Sequence, residues 1–378
     1  MYLSIYSLSI IRIFRAFIAR MEVFMEIKFE RNTNPKAKVN ASELVFGTYF
    51  TDHMFTMQYN KEKGWHDAKI VPYAPLELDP AAAVFHYGAE VFEGLKAYRT
   101  PNNEIQLFRA KDNIKRLNDS AERLCLPQLD EDFTFKALNE FVKVESDWVP
   151  SEKGTSLYLR PFLFATAPEL GLHSITEAMF VIIACPVGNY YKEGINPVSI
   201  MIEAEDVRAV RGGTGYAKCG GNYAASNRAG EKAERKGFSQ VLWLDGVERK
   251  YIEEVGSMNV MFKIDGVIVT PKLTGSVLPG ITRRSCIQVL KDWGYKVEER
   301  LISVDEIGEA MKQGKLEEAW GCGTAAVISP IGTLEYKGTT FNINNNEIGE
   351  VTKKLYDELT GIQWGTREDK YSWTTKIV

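Results

Sequence analysis

The chain has 378 residues, 45% apolar and 25% charged, with a formal charge of −4. These values fit a soluble globular protein of about two domains and exclude intrinsic disorder and a collagen-like repeat; no apolar run reaches the roughly 18 residues of a membrane span. With 46 Lys+Arg against 50 Asp+Glu there is no basic excess for nucleic acid, which leaves an enzyme acting on small molecules.

Residues 1–20 hold no acid, three arginines (Arg12, Arg15, Arg20) and apolar Ile11, Phe14, Phe17 and Ile18 at helical spacing. The arginines follow the apolar stretch, the reverse of a secretory signal. Two readings stay open for this extension, residues 1–24: an organellar transit peptide, or an upstream start codon with the functional protein beginning at Met21 or Met25. Short β-type runs broken by glycines fill 81–108. Residues 112–124 then form an amphipathic helix with Ile114, Leu117, Ala121 and Leu124 on one stripe. Two strands are predicted, SLYLRPFLFA (156–165) and AMFVIIACPV (178–187). The Gly/Asn/Pro-rich decamer GNYYKEGINP (188–197) reads as a linker between a small α/β domain (25–187) and a larger domain (198–378). Beyond it, Asn222 is placed to cap a helix over 223–236 that stops at Gly237. Asp245-Gly246 and Asp265-Gly266 predict hairpins. LPGITRRSCIQVLKDWG (278–294) reads as a turn and a helix, followed by a helix, a strand near 318–320, a glycine turn and a final helix. Strands and helices without strict alternation argue for an α+β fold. Neither G-x-G-x-x-G nor G-x-x-x-x-G-K-[ST] occurs in context, so dinucleotide and P-loop chemistry lose support.

The five cysteines (Cys125, Cys185, Cys219, Cys286, Cys322) are scattered and never form C-x-x-C. They suit reduced core thiols of a cytoplasmic protein better than a disulfide framework. With four histidines and no H-E-x-x-H, no metal site is expected.

Lys218 stands in GYAKCGGNY among small residues, where an amine shielded from water shifts toward its neutral nucleophilic form. The Ile281 and Thr282 amides after Pro279-Gly280 open a helix and suit a phosphate. Arg116, one position off the apolar stripe of its helix, can reach a phosphate bidentately. Glu253 and Glu254 occupy opposite faces of a strand, so one can be solvated while the other faces inward and needs a cation. Pyridoxal 5′-phosphate offers an aldehyde, a phosphate and a ring nitrogen to this set.

Eight stretches in order, FHYGAEVFEGLKAY (85–98), LFRAKDNIKRLNDSAERLCLP (107–127), SLYLRPFLF (156–164), CPVGNYY (185–191), KCGGNYAAS (218–226), EEVGSMNVMF (253–262), LPGITR (278–283) and GCGTAAV (321–327), resemble the branched-chain amino acid aminotransferases. These are pyridoxal-phosphate enzymes of fold type IV. The resemblance implies a smaller N-terminal α/β domain, a larger domain with a barrel-like mixed sheet, and a homodimer. It implies amino transfer from L-leucine, L-isoleucine or L-valine to 2-oxoglutarate; a D-amino acid aminotransferase and an aminodeoxychorismate lyase share the fold as alternatives. By the same resemblance Lys218 is the Schiff-base lysine, Glu254 the partner of the ring nitrogen and Tyr223 that of the phenolic oxygen. Arg116, Ile281, Thr282 and Thr324 form the phosphate set. Tyr87, Phe92, Tyr158, Arg160 and Tyr190 form the substrate pocket, and the Thr324 and Ala325 amides the α-carboxylate site. Some animal relatives carry a C-x-x-C redox pair where this chain has Ala326 and Ser329, so no thiol regulation of that kind is expected. Cys219 reads as a packing thiol.

Overall fold

The computed structural model describes residues 25–188 and 195–377; the N-terminal extension and residues 189–194 of the expected linker, Tyr190 among them, lie outside the described residues. Two nine-stranded sheets organise the rest. The first contains β1 (Lys28–Phe29), β2 (His53–Asn60), β3 (Gly64–Pro72), β4 (Glu90–Phe92), β5 (Leu95–Arg99), β6 (Ile105–Phe108), β7 (Ser156–Ala165) and β8 (Glu177–Val187). Its order is β1-β3-β2-β8-β7-β5-β6, with β4 also on β7. The two apolar runs read from the sequence are β7 and β8, paired antiparallel from Ser156↔Val187 to Ala165↔Ala178.

Three helices go with this sheet, α1 (Ala83–Tyr87), α2 (Ala110–Arg123) and α3 (Glu131–Val144). The predicted stripe of α2 is its buried face: Leu117 and Ala121 join Leu138, Phe141 and Phe180 in one core. The Asp130 side chain caps α3 by accepting the Phe133 N–H.

The second sheet contains β9 (Val198–Glu203), β10 (Gln240–Leu244), β11 (Ile252–Val255), β12 (Met258–Ile264), β13 (Val267–Pro271), β14 (Val297–Arg300), β15 (Leu316–Gly323), β16 (Val327–Tyr336) and β17 (Thr339–Asn342). Strands β11, β10, β9, β16, β15 and β12 pair in that order, and β12 pairs back to β11. Six strands thereby close into a barrel without free edges. Parallel β9–β10 and β9–β16 contacts beside antiparallel ones make it mixed. Its helices are α4 (Gly220–Ala224), α5 (Asn227–Arg235), α6 (Ile281–Asp292), α7 (Val304–Lys312) and α8 (Glu350–Gln363). The last strand, β18 (Thr374–Lys376), crosses back to the first sheet and pairs with β6.

Both hairpins form. Asp265 and Gly266 take left-handed φ of 49° and 78°, as a two-residue turn between β12 and β13 demands. The Asp245 hairpin has a wider loop, whose Val247, Glu248, Lys250 and Tyr251 N–H groups all donate to the Asp245 carboxylate.

Two expectations are corrected. Asn222 caps nothing: it lies inside α4, and the expected single helix is two, α4 and α5. Its side chain turns back to the loop before it, where it satisfies buried carbonyls that a cap would leave unpaired. Glu253 is not solvated; it and Glu254 are both buried, because the 274–278 loop covers the outer face and Ser276 donates to the Glu253 carboxylate.

Candidate active site

Lys218 lies just before α4, at the seam of the two sheets. Its carbonyl accepts the Phe92 N–H at 2.9 Å, and its own N–H donates to the Ser120 hydroxyl at 2.9 Å. Asn222 ties the preceding turn, donating to the Thr214 and Ala217 carbonyls at 2.8 Å each. With the main chain fixed from both sides, the side chain is aimed. Nζ donates to the Tyr223 hydroxyl at 2.8 Å and lies 4.9 Å from the Phe92 ring centroid. Arg160 shares that ring, its guanidinium carbon 4.6 Å from the centroid, and its Nη2 donates to Tyr158 Oη at 2.8 Å. Tyr158 and Arg160 thus meet on one face of β7, as their two-residue spacing predicts. Gly94 makes room for them, since a Cβ there would run into the Tyr158 phenol. Among the described residues the buried Arg160 Nε has no hydrogen-bond partner, a donor left for whatever enters the pocket.

A cavity of about 490 Å³ opens beside Tyr223, lined also by Arg208, Ala217, Asn222, Glu254 and Leu278. That is the size of a small-molecule site. Glu254 Oε1 accepts the Leu278 N–H at 3.0 Å and Asn259 Nδ2 at 3.2 Å, while Oε2 faces Arg208 Nε at 2.7 Å. Burial raises its pKa above the ordinary carboxylate value, with Arg208 pulling the other way. The cation expected from a ring nitrogen is therefore already present in the chain, as Arg208.

Past Leu278 the chain turns at Pro279 and Gly280 into α6, whose Gly280 N-cap offers no side-chain acceptor to the first amides. The Ile281 and Thr282 N–H groups are thus available to an anion. Space requires the glycine: a Cβ at 280 would strike Asn259 Oδ1. Asn259 Nδ2 also donates to the Leu278 carbonyl at 2.9 Å, so this one amide connects Glu254 to the helix tip. Arg116 reaches the tip from α2, Nη1 donating to the Pro279 carbonyl at 3.2 Å. Its Nε and Nη2 grip the two oxygens of Glu93 at 2.7 and 2.9 Å. Three of its five N–H groups are spent, leaving two for a phosphate.

A lysine amine bonded to Tyr223, a buried carboxylate on the cavity that Tyr223 lines, and an uncapped helix tip tied to that carboxylate through Asn259 match the three polar ends of a phosphorylated pyridine aldehyde. The profile of amino-transferase class IV matches residues 90–334. The chain is a class IV aminotransferase. This aminotransferase is 56% identical to branched-chain-amino-acid aminotransferase 2 of Bacillus subtilis (strain 168), over 93% of its own length and 97% of that protein's. It is 54% identical to the probable branched-chain-amino-acid aminotransferase of Staphylococcus aureus (strain N315), over 93% and 98%. Among solved structures, the Escherichia coli branched-chain amino acid aminotransferase superposes with a TM-score of 0.71 at 26% identity, covering 86% of this chain and 99% of that one. The T.th. branched-chain amino acid aminotransferase complexed with N-(5′-phosphopyridoxyl)-L-glutamate does so with a TM-score of 0.71 at 26% identity, covering 86% and 98%. The two-domain α+β architecture with a barrel-like mixed sheet is the fold of the class.

The remaining described site residues expected of this aminotransferase lie on α1 and on the turn after β15. Tyr87, on α1, is exposed, and its hydroxyl accepts the Gly171 N–H on the same surface. Thr324 and Ala325 form the turn between β15 and β16. That turn is fastened from the first sheet by Lys96, whose Nζ donates to the Ala325 carbonyl at 2.7 Å. Burial lowers the Lys96 pKa to about 8. Lys96, Glu93, Asn259 and Arg208 are absent from the sequence reading. A lysine between Leu95 and Ala97 in a β-type run was a usable signal of a buried amine; nothing local marks Arg208. Cys219 packs in the core of the first sheet, as a packing thiol should.

Proposed function

We propose that the chain transfers the amino group of L-leucine, L-isoleucine or L-valine to 2-oxoglutarate, with pyridoxal 5′-phosphate as cofactor and one pocket serving both half-reactions. The observation that carries this reading is the bond from Lys218 to Tyr223, which lines a cavity that also holds Glu254 and Leu278. Bound there, the cofactor supplies an electron sink for charge developing at the substrate Cα. Lys218 would hold the cofactor at its aldehyde carbon and would take up and return the substrate Cα proton. Tyr223 donates to the phenolic oxygen, and Glu254 keeps the ring nitrogen protonated while Arg208 steadies the carboxylate. The Ile281 and Thr282 amides, Thr324 and Arg116 hold the phosphate, and the Thr324 and Ala325 amides hold the α-carboxylate. Phe92 and Tyr158 wall the side-chain pocket, and Arg160 with Tyr158 meets the second carboxylate of glutamate. One methylene in such a pocket is worth about 1–3 kcal/mol, so Leu, Ile and Val are separated weakly.

The chain works as a homodimer in this reading, with Tyr87 offered to the partner's pocket. Exposed Phe85, Tyr87, Leu170 and Leu172 support it, since the Tyr87–Gly171 bond puts them on one apolar face. Residues 25–187, with β18 returning to their sheet, form the small domain and the chain from 198 to the end of α8 the large one, and free, mostly buried cysteines suit the cytoplasm. Among the described residues no helix is long and apolar enough to cross a membrane.

The test is to offer L-leucine, D-alanine and aminodeoxychorismate to the cofactor-loaded protein and follow glutamate formed from 2-oxoglutarate. Only L-leucine should yield it, and Lys218→Ala should cut the rate by about a thousandfold or more and remove the absorbance band of lysine-bound cofactor. Turnover of D-alanine alone, or release of pyruvate from aminodeoxychorismate, refutes the proposal.

A further inference from the structure

Glu90 lies on the same face of β4 as Phe92. Its carboxylate accepts the N–H of Gly220, two residues after Lys218, and a Cβ on Gly220 would collide with that same oxygen. Strand β4 therefore grips the lysine loop twice, once through the Phe92 N–H on the Lys218 carbonyl and once through Glu90. The other acids of the seam are taken up, Glu93 by Arg116 and Glu254 by Arg208. Glu90 has a neutral amide as its near partner. Burial raises its pKa, while the Gly220 N–H and the charge of Arg160 draw it down. Phe92 lies between the two, its ring under the Arg160 guanidinium and its backbone two residues from Glu90.

The pocket must take a hydrocarbon side chain in one half-reaction and a carboxylate in the other. Beside a hydrocarbon, an isolated Arg160 would be a poorly solvated charge. A fixed anion nearby lowers that cost, and the same anion opposes an entering carboxylate.

We propose that Glu90 is a specificity-determining residue: anchored by the Gly220 amide, it balances Arg160 while an apolar side chain fills the pocket, and it weakens binding of the dicarboxylic partner. The inference rests on the reading of Arg160 as the receiver of the second carboxylate. Glu90 thus sets how evenly the two substrate classes are accepted.

Glu90→Gln keeps the shape and an oxygen for the Gly220 N–H but removes the charge. In the cofactor-loaded enzyme, KM for 2-oxoglutarate should fall about threefold or more, KM for L-leucine should rise, and kcat should change less than about twofold. Dissociation constants of the unreactive acids glutarate and 4-methylvalerate, read from the cofactor absorbance, should move in the same opposite directions. Glu90→Asp keeps a negative charge and should stay within about twofold of the native ratio. Equal changes for both substrate classes, no change, or an Asp variant that behaves like Gln overturns the proposal. Arg160→Gln separates the two layers. If it leaves KM for 2-oxoglutarate unmoved, the reading of Arg160 fails; if it raises that KM about tenfold while Glu90→Gln does nothing, Glu90 alone is wrong.

Discussion

Glu93 and Glu254 are both buried, both paired with a buried arginine, and shifted in opposite directions. For Glu93, burial pushes the pKa up, but Arg116 more than reverses it and the carboxyl stays below its ordinary range. For Glu254, burial wins over Arg208. The geometry accounts for the difference. Glu93 has a guanidinium bond on each oxygen, with Asn113 Nδ2 at 2.8 Å and the Gly94 N–H at 3.1 Å added. Glu254 meets one arginine nitrogen and has buried Glu253 beside it as a like charge. What decides a buried acid's charge is the number of charge-assisted bonds rather than the presence of a cation. The first pair is a closed clamp between α2 and the first sheet. The second leaves an acid beside the cavity whose ionisation answers to what binds there.

Removing Arg116 should give the largest effect. Arg116→Met strands a buried carboxylate and should cost about 3–5 kcal/mol in urea unfolding. A loss as large in Arg208→Met would break the comparison.

Lys96 sharpens it from the other sign, as a buried cation resting on a carbonyl instead of a carboxylate. Its pKa of about 8 lies below the 10.5 of an exposed lysine. The unfolded chain therefore binds more protons between those values, and stability should rise with pH across that window by about 3 kcal/mol. Unfolding curves at pH 7.5 and 10.5, run beside Lys96→Met, should show this rise in the native protein and not in the variant.

Arg208→Met should cost only about 1–2 kcal/mol, because Glu254 can answer by taking up a proton. It should nevertheless weaken cofactor binding about tenfold, read by dialysis against pyridoxal phosphate. Smallest is Gly280→Ala, at about 1 kcal/mol in thermal unfolding, provided Asn259 can swing aside; the phosphate end should then loosen more than the ring end.

Local pattern carried much of this in advance. The helical stripe of α2, the strands β7 and β8, and the turn into α6 follow from periodicity and glycine-proline punctuation. Tyr158 and Arg160 follow from a two-residue repeat. Asn222 and Glu253 depart from their local pattern because the deciding partners, Ala217 and Ser276, are supplied by loops folding back over them. Lys96 meets Ala325 across 229 positions, where the two sheets close on each other, and Arg208 reaches Glu254 of β11 from the loop after β9. Contacts of that range leave no local mark.

Strand β18 pairs with β6 at one edge of the first sheet, while β1 pairs with β3 at the other. The barrel is in effect an insertion within the chain of its neighbour. During synthesis the N-terminal layer must wait, one margin bare and open to stray partners, until the whole barrel has emerged and residues 374–376 arrive to seal it.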